Sequence, residues 1–127
     1  MILKMSQICA LEGLREKFFR ASFPLKTAYK ITKLFEAEEK EYNFYMTKLR
    51  EIIDNYSQKA EDGTPKMTED GNNVLIIPEK IDACHKELFE LENLEINFPV
   101  IQFSVGELEN FGEFSVSEMR ALMPFLE

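Results

Sequence analysis

An apolar stripe that keeps helical spacing across residues 28–56 limits what this chain can become more than any other feature. Ala28, Ile31, Phe35, Tyr42, Tyr45, Leu49, Ile52 and Tyr56 fill eight of the nine positions set by alternating steps of three and four. That period puts all of them on one face of an α-helix. The spacing predicts one helix over residues 23–59. At ~1.5 Å per residue it would run roughly 50 Å, longer than a compact domain of this size needs. The stripe must therefore be covered, by the rest of the chain or by a second copy. The ninth position of the register is Glu38. A carboxylate on a buried seam calls for a cation, with Arg15 and Arg50 as candidates, or else marks register.

The flanking segments offer partial cover. Residues 1–5 read as a short strand, and Ser6 can cap a helix over 7–20 with Ile8, Leu11 and Phe18 on one face. Arg15 is the odd residue of that face. Pro24 breaks the pattern and suits the first turn of the long helix. Residues 60–73 carry Glu-Asp-Gly twice, with Pro65 and Asn72-Asn73, which is turn chemistry. Residues 64–68 and 74–77 are predicted to form a β-hairpin. Pro78 opens a second helix reaching about Asn93, with Ile81, Cys84, Leu88 and Leu91 on one face. It covers about half of the long helix if it folds back antiparallel. Tyr42, Tyr45 and Tyr56 are too bulky for a regular leucine-type seam, so the hairpin of helices is expected to be irregular. Residues 94–105 alternate as a strand whose phase slips at Pro99, with residues 1–5 and the 64–77 hairpin as its expected partners. Ser115 and Glu118 form a capping box for a last short helix, with Met119, Leu122 and Met123 expected to face inward. The predicted fold is α+β: a single domain, 1–127, with a long helical hairpin packed beside a small antiparallel β-sheet.

Charge is unevenly spread. The net charge is −8, yet residues 1–35 hold seven Lys and Arg against two acids, and the remainder is strongly acidic. Lys26, Lys30 and Lys33 fall near the start of the long helix, where the macrodipole disfavours cations unless an anion joins them. Arg15, Arg20, Lys26 and Lys30 are therefore the candidate anion-binding residues, suited to phosphate. The acidic bulk disfavours nucleic acid as a partner.

Other chemistry finds little purchase. His85 is the single histidine, so a site built on several His or Cys ligands is not available. Cys84 and His85 point about 100° apart on a helix and do not make a nucleophile–base pair. Asp62, Asp70, Asn72 and Asn73 lack the spacing of a calcium loop. No phosphate-binding, dinucleotide or nucleophile-elbow motif is present. No enzymatic activity, cofactor or metal is expected. Two cysteines fit a reduced, intracellular setting, and neither a signal peptide nor an apolar run of ~20 residues is found, so no membrane partner is expected.

Phe23-Pro-Leu-Lys-Thr-Ala-Tyr-Lys-Ile31, the Asp62-Gly63 turn, the helix ending Leu88 to Glu92, Leu94-Glu-Ile-Asn and Ser117-Glu-Met-Arg-Ala-Leu-Met-Pro124 are the stretches that carry a family likeness. Together they resemble a family of small, functionally uncharacterised proteins of bacteriophages and prophages. The resemblance implies an accessory or assembly protein acting in the host bacterial cytoplasm, and it supplies no catalytic residues. The expected function is that of a non-enzymatic homo-oligomeric binding protein. It would take a host factor or an anionic small molecule, or would bind another phage protein during virion assembly.

Overall fold

A computed structural model describes residues 1–127. In chain order the elements are β1 (Ile2–Lys4), α1 (Met5–Cys9), α2 (Glu12–Arg20), α3 (Leu25–Tyr56), α4 (Ile81–Glu92), β2 (Glu95–Asn97), α5 (Val105–Glu109) and α6 (Val116–Leu122). Single 3₁₀ turns at Pro78–Lys80 and Met123–Phe125 lead into α4 and close the chain. The α+β class is realised. A long helix packs on other helices, and β1 and β2 form an antiparallel pair in which Leu3 faces Ile96. No helix is long and apolar enough to cross a membrane.

The residues fall into two compact units. One comprises Met1–Asn43 with Glu95–Glu127, the other Phe44–Leu94, and α3 contributes to both. The first holds nearly all of the core. Ile8, Leu11, Leu14 and Phe18 from the N-terminal segment meet Ile31, Leu34 and Phe35 of α3, all essentially removed from solvent. The C-terminal segment adds Phe98, Phe103, Leu108, Leu122 and Phe125. Rings meet edge-on or tilted, as with Phe18 against Phe35 at 5.8 Å and Phe98 against Phe125 at 5.7 Å, the arrangement that the ring quadrupole favours.

The second unit is thinner. Its fully buried side chains are Ser57, Cys84 and Leu91, while Leu49, Ile52, Ile53 and Tyr56 are half-buried. The predicted hairpin forms, with Met67 opposite Val74, and it gains a third arm: Ser57 bridges Ile76 and Lys59 bridges Pro65. Two turns hold the arms. Gly63 and Gly71 take φ of +87° and +72°, which a Cβ would disfavour. Asp62 accepts from the Thr64 amide at 3.0 Å, and Asp70 from the Asn72 amide at 3.1 Å. These Asp residues thus close Asx-type turns. Burial and a hydrogen bond with Glu87 hold the Tyr56 phenol above its ordinary value, which ties the end of α3 to α4.

Several expectations are corrected. The helix predicted over 7–20 is two helices, because the chain turns at Ala10 and Leu11, and Ser6 lies inside α1, not at its cap. The strand expected over 94–105 is regular only across Glu95–Asn97, with Phe98 exchanging two further hydrogen bonds with Met1, and the 64–77 hairpin pairs with residues 57–59 instead of with it. Beyond Pro99, Phe103 bridges Leu126 and Val105 already begins α5. Met123 is 61% exposed, since α6 ends at Leu122 and Met123 opens the 3₁₀ turn Met123–Phe125. Ile81, the first expected seam residue of α4, is 39% exposed.

Candidate functional site

The four candidate cations lie on two helices. Arg15 and Arg20 are on α2, one turn and a residue apart, and Lys26 and Lys30 occupy the first two turns of α3. Three of them already answer carboxylates within the chain. Arg15 Nη1 donates to Glu38 Oε2 at 3.2 Å and Nη2 to Glu39 Oε2 at 3.3 Å, with Glu12 Oε2 at 3.8 Å. Its guanidinium also lies 4.8 Å from the Phe19 ring centre, a stacking that Arg performs better than Lys. Arg20 pairs with Glu16 one turn back on the exposed side of α2.

Lys30 is held by Glu107, whose two oxygens accept from Nζ at 3.0 and 3.1 Å. The same carboxylate accepts from Thr27 Oγ1 at 3.0 Å and from the Ser104 amide at 2.8 Å. The Ser104 amide and the Lys30 ammonium hold Glu107 down at about 2. The start of α3 thus receives the anion its lysines call for, and the anion comes from this chain. Ser104 caps α5 and Glu107 is the acid three residues on, so Ser104-Val-Gly-Glu107 is itself a capping box. That motif was the available sequence signal for both α5 and Glu107.

Lys26 differs from the other three. No carboxylate pairs with it, and it lies with Leu25, Tyr29 and Lys30 around one shallow depression. Leu25 is 86% exposed and Tyr29 64%, so apolar and aromatic surface sits beside two ammonium groups. Lys17, outside the four, bonds Glu118 at 2.9 Å and the Glu113 carbonyl. Much of the lopsided charge of the sequence is therefore neutralised inside the first unit, where N-terminal cations meet Glu38, Glu39, Glu107 and Glu118.

Glu38 is the buried end of that network. Its side chain is fully enclosed, and its Oε1 and Glu12 Oε2 have no hydrogen-bond partner. Burial, and the neighbouring Glu12, push it up to about 8 despite the opposing pull of Arg15. The seam carboxylate of the sequence thus finds Arg15, the first of its two expected partners.

The second unit offers a different surface. Phe44 is 43% exposed, Phe89 65% and Leu94 41%, and Leu49, Ile52 and Ile53 are half-covered. A shallow depression lined by Ile53, Val74, Ile76, Cys84, His85 and Leu88 lies in this unit. Burial raises the Cys84 thiol, which suits packing better than nucleophilic attack. Comparison with protein-family models, with curated proteins and with solved structures found no match.

Proposed function

We propose that this protein is a non-enzymatic accessory binding protein of the phage type, acting as a homo-oligomer in the host bacterial cytoplasm. Its contacts with protein run through the Phe44–Leu94 unit. The observation that carries this reading is the change in burial along α3. Ile31, Leu34 and Phe35 are enclosed, whereas Leu49, Ile52 and Ile53 keep part of their apolar surface in water. A 51-residue unit (44–94) with Cys84 and Leu91 as its fully buried apolar side chains has little core of its own. Association that covers this face adds the missing burial, at roughly 25 cal/mol per Å² of apolar surface. The phage assignment rests on the sequence resemblance. Within this class the protein either sequesters a host factor or joins another phage protein during virion assembly.

Ile52→Glu tests the reading. In light scattering the unaltered chain should have the mass of a defined oligomer and Ile52→Glu that of a monomer with unchanged helix content. A monomeric parent that captures no protein from infected cells would refute it.

Lys26 supports a second reading, in which an anionic small molecule is the ligand. Its unpaired ammonium beside Lys30 and the exposed Tyr29 ring suits a phosphate attached to a planar group. Native mass spectrometry of gently purified protein would show an added mass, and Arg20→Glu with Lys26→Glu would remove it. Retention of the mass in that double variant would exclude the site.

A further inference from the structure

Glu38 and Glu12 present a problem in satisfaction. Glu38 is wholly enclosed and its Oε1 finds no donor, and Glu12 Oε2 is equally shut off and equally without one. The two carboxyl groups flank one nitrogen, Arg15 Nη1, which lies 3.8 Å from Glu12 Oε2 and 3.2 Å from Glu38 Oε2. Two ionised carboxylates cannot bond, because each only accepts. One added proton removes the difficulty for both atoms at once.

We propose that the Glu12–Glu38 pair is a proton-binding site that latches α2 to α3, with Glu38 Oε1 carrying the proton and donating it to Glu12 Oε2. Glu38 Oε2 remains free to accept from Arg15 Nη1, which it does at 3.2 Å. The groups facing the pair are Arg15 from α2 and Glu39 from α3, and Arg15 also bonds Glu39 at 3.3 Å. With the proton in place, two carboxyl groups, one guanidinium and Glu39 carry a net charge of −1. Without it the same cluster carries −2, half of it sealed from water. Loss of the proton therefore leaves a fully buried anion, Glu38, beside the half-buried Glu12, with one cation between them.

The consequence is a stability that responds to pH in the direction opposite to most carboxylates. Glu38 holds its proton in the folded protein well above the pH at which the unfolded chain gives it up. Between the unfolded value near 4.5 and the folded value near 8, the folded state binds more protons, so its advantage shrinks as pH rises through that window. Above the window the loss is complete and flat. The latch is closed at acid and neutral pH and weakened in alkali.

The test uses the full-length protein labelled with ¹³C at glutamate carboxyls, titrated by NMR. One resonance, absent from Glu38→Gln, should titrate far above the others. A Glu38 resonance that moves with the ordinary glutamates near 4.5 overturns the proposal. Gln at position 38 keeps a donor for Glu12 and cannot ionise, so the melting temperature of Glu38→Gln minus that of the parent should grow from pH 5 to pH 9. Parallel curves overturn it. Should Glu38→Gln fail to fold, Glu12→Gln serves. Removing the neighbouring charge should lower the Glu38 midpoint, and an unmoved midpoint would show that the proton is not shared.

Discussion

In the first half of α3, Ile31, Leu34 and Phe35 are shut in by Phe18, Phe19 and the C-terminal phenylalanines, and the one acid among them has its own arginine. In the second half, Leu49, Ile52 and Ile53 repeat the same spacing and stay half in water. The local sequence signal is nearly identical in the two halves. The difference lies in what the rest of the chain supplies. The first unit receives segments from both ends of the sequence, while the second has only α4 and a set of short β-bridges. Amphipathic spacing thus states that a face needs cover, not what covers it.

The largest expected effect sets core against half-buried face. Phe35→Ala should lower unfolding stability by about 4 kcal/mol, because an enclosed ring leaves a cavity between Phe18 and Phe19. Ile52→Ala should cost only about 1 kcal/mol in dilute protein, where the face meets water. Urea denaturation followed by circular dichroism measures both, and equal losses would erase the distinction between the halves.

Next comes the charged seam of the first unit. Arg15→Met should cost about 2 kcal/mol at pH 9, where Glu38 is ionised and has lost its donor. The loss should shrink at pH 5, where Glu38 is neutral. A pH-independent loss would assign the role of Arg15 to packing on Phe19 alone.

Ser104→Ala removes the cap of α5 and should cost about 1 kcal/mol. Its partner Glu107 gives the opposite pH response to Glu38. Glu107 is held down at about 2, so its stabilisation is present above its ordinary value of 4.5 and is lost as pH falls from there toward 2. Glu107→Gln should therefore flatten the acid side of the stability profile, leaving the alkaline side to Glu38. The smallest effect belongs to Arg20→Ala. Its pair with Glu16 is mostly in solvent, and the change should stay below about 0.5 kcal/mol in the same denaturation series.

Much of this was legible in residues. The long helix was, because Ile31 and Phe35 sit on a sustained period, and Glu38 stood out as the polar exception on that face, although the sequence left Arg15, Arg50 and a register role open for it and the fold selects Arg15. The register was only partly right. Thr27 and Leu34 are buried where a strict three-four seam names Ala28, since the covered face is wider than one seam when neighbours approach from two sides. The break at Ala10 and Leu11 carries no Gly or Pro and could not be read locally. The α5 helix could have been, from Ser104 and Glu107. The cation cluster illustrates the limit. Composition locates Arg15, Arg20, Lys26 and Lys30 in one third of the chain, but Glu107 and Glu118 come from the far end, and only folding brings them to Lys30 and Lys17.

We propose that a second copy covers the distal half of α3, whereas the proximal half is already enclosed by this chain. Amide hydrogen exchange along α3, read residue by residue at low and high protein concentration, tests it most directly. Residues 27–38 should be strongly protected at both concentrations, and residues 44–56 weakly protected when dilute and markedly more so when concentrated. Protection that is equal in both halves and indifferent to concentration would contradict the claim.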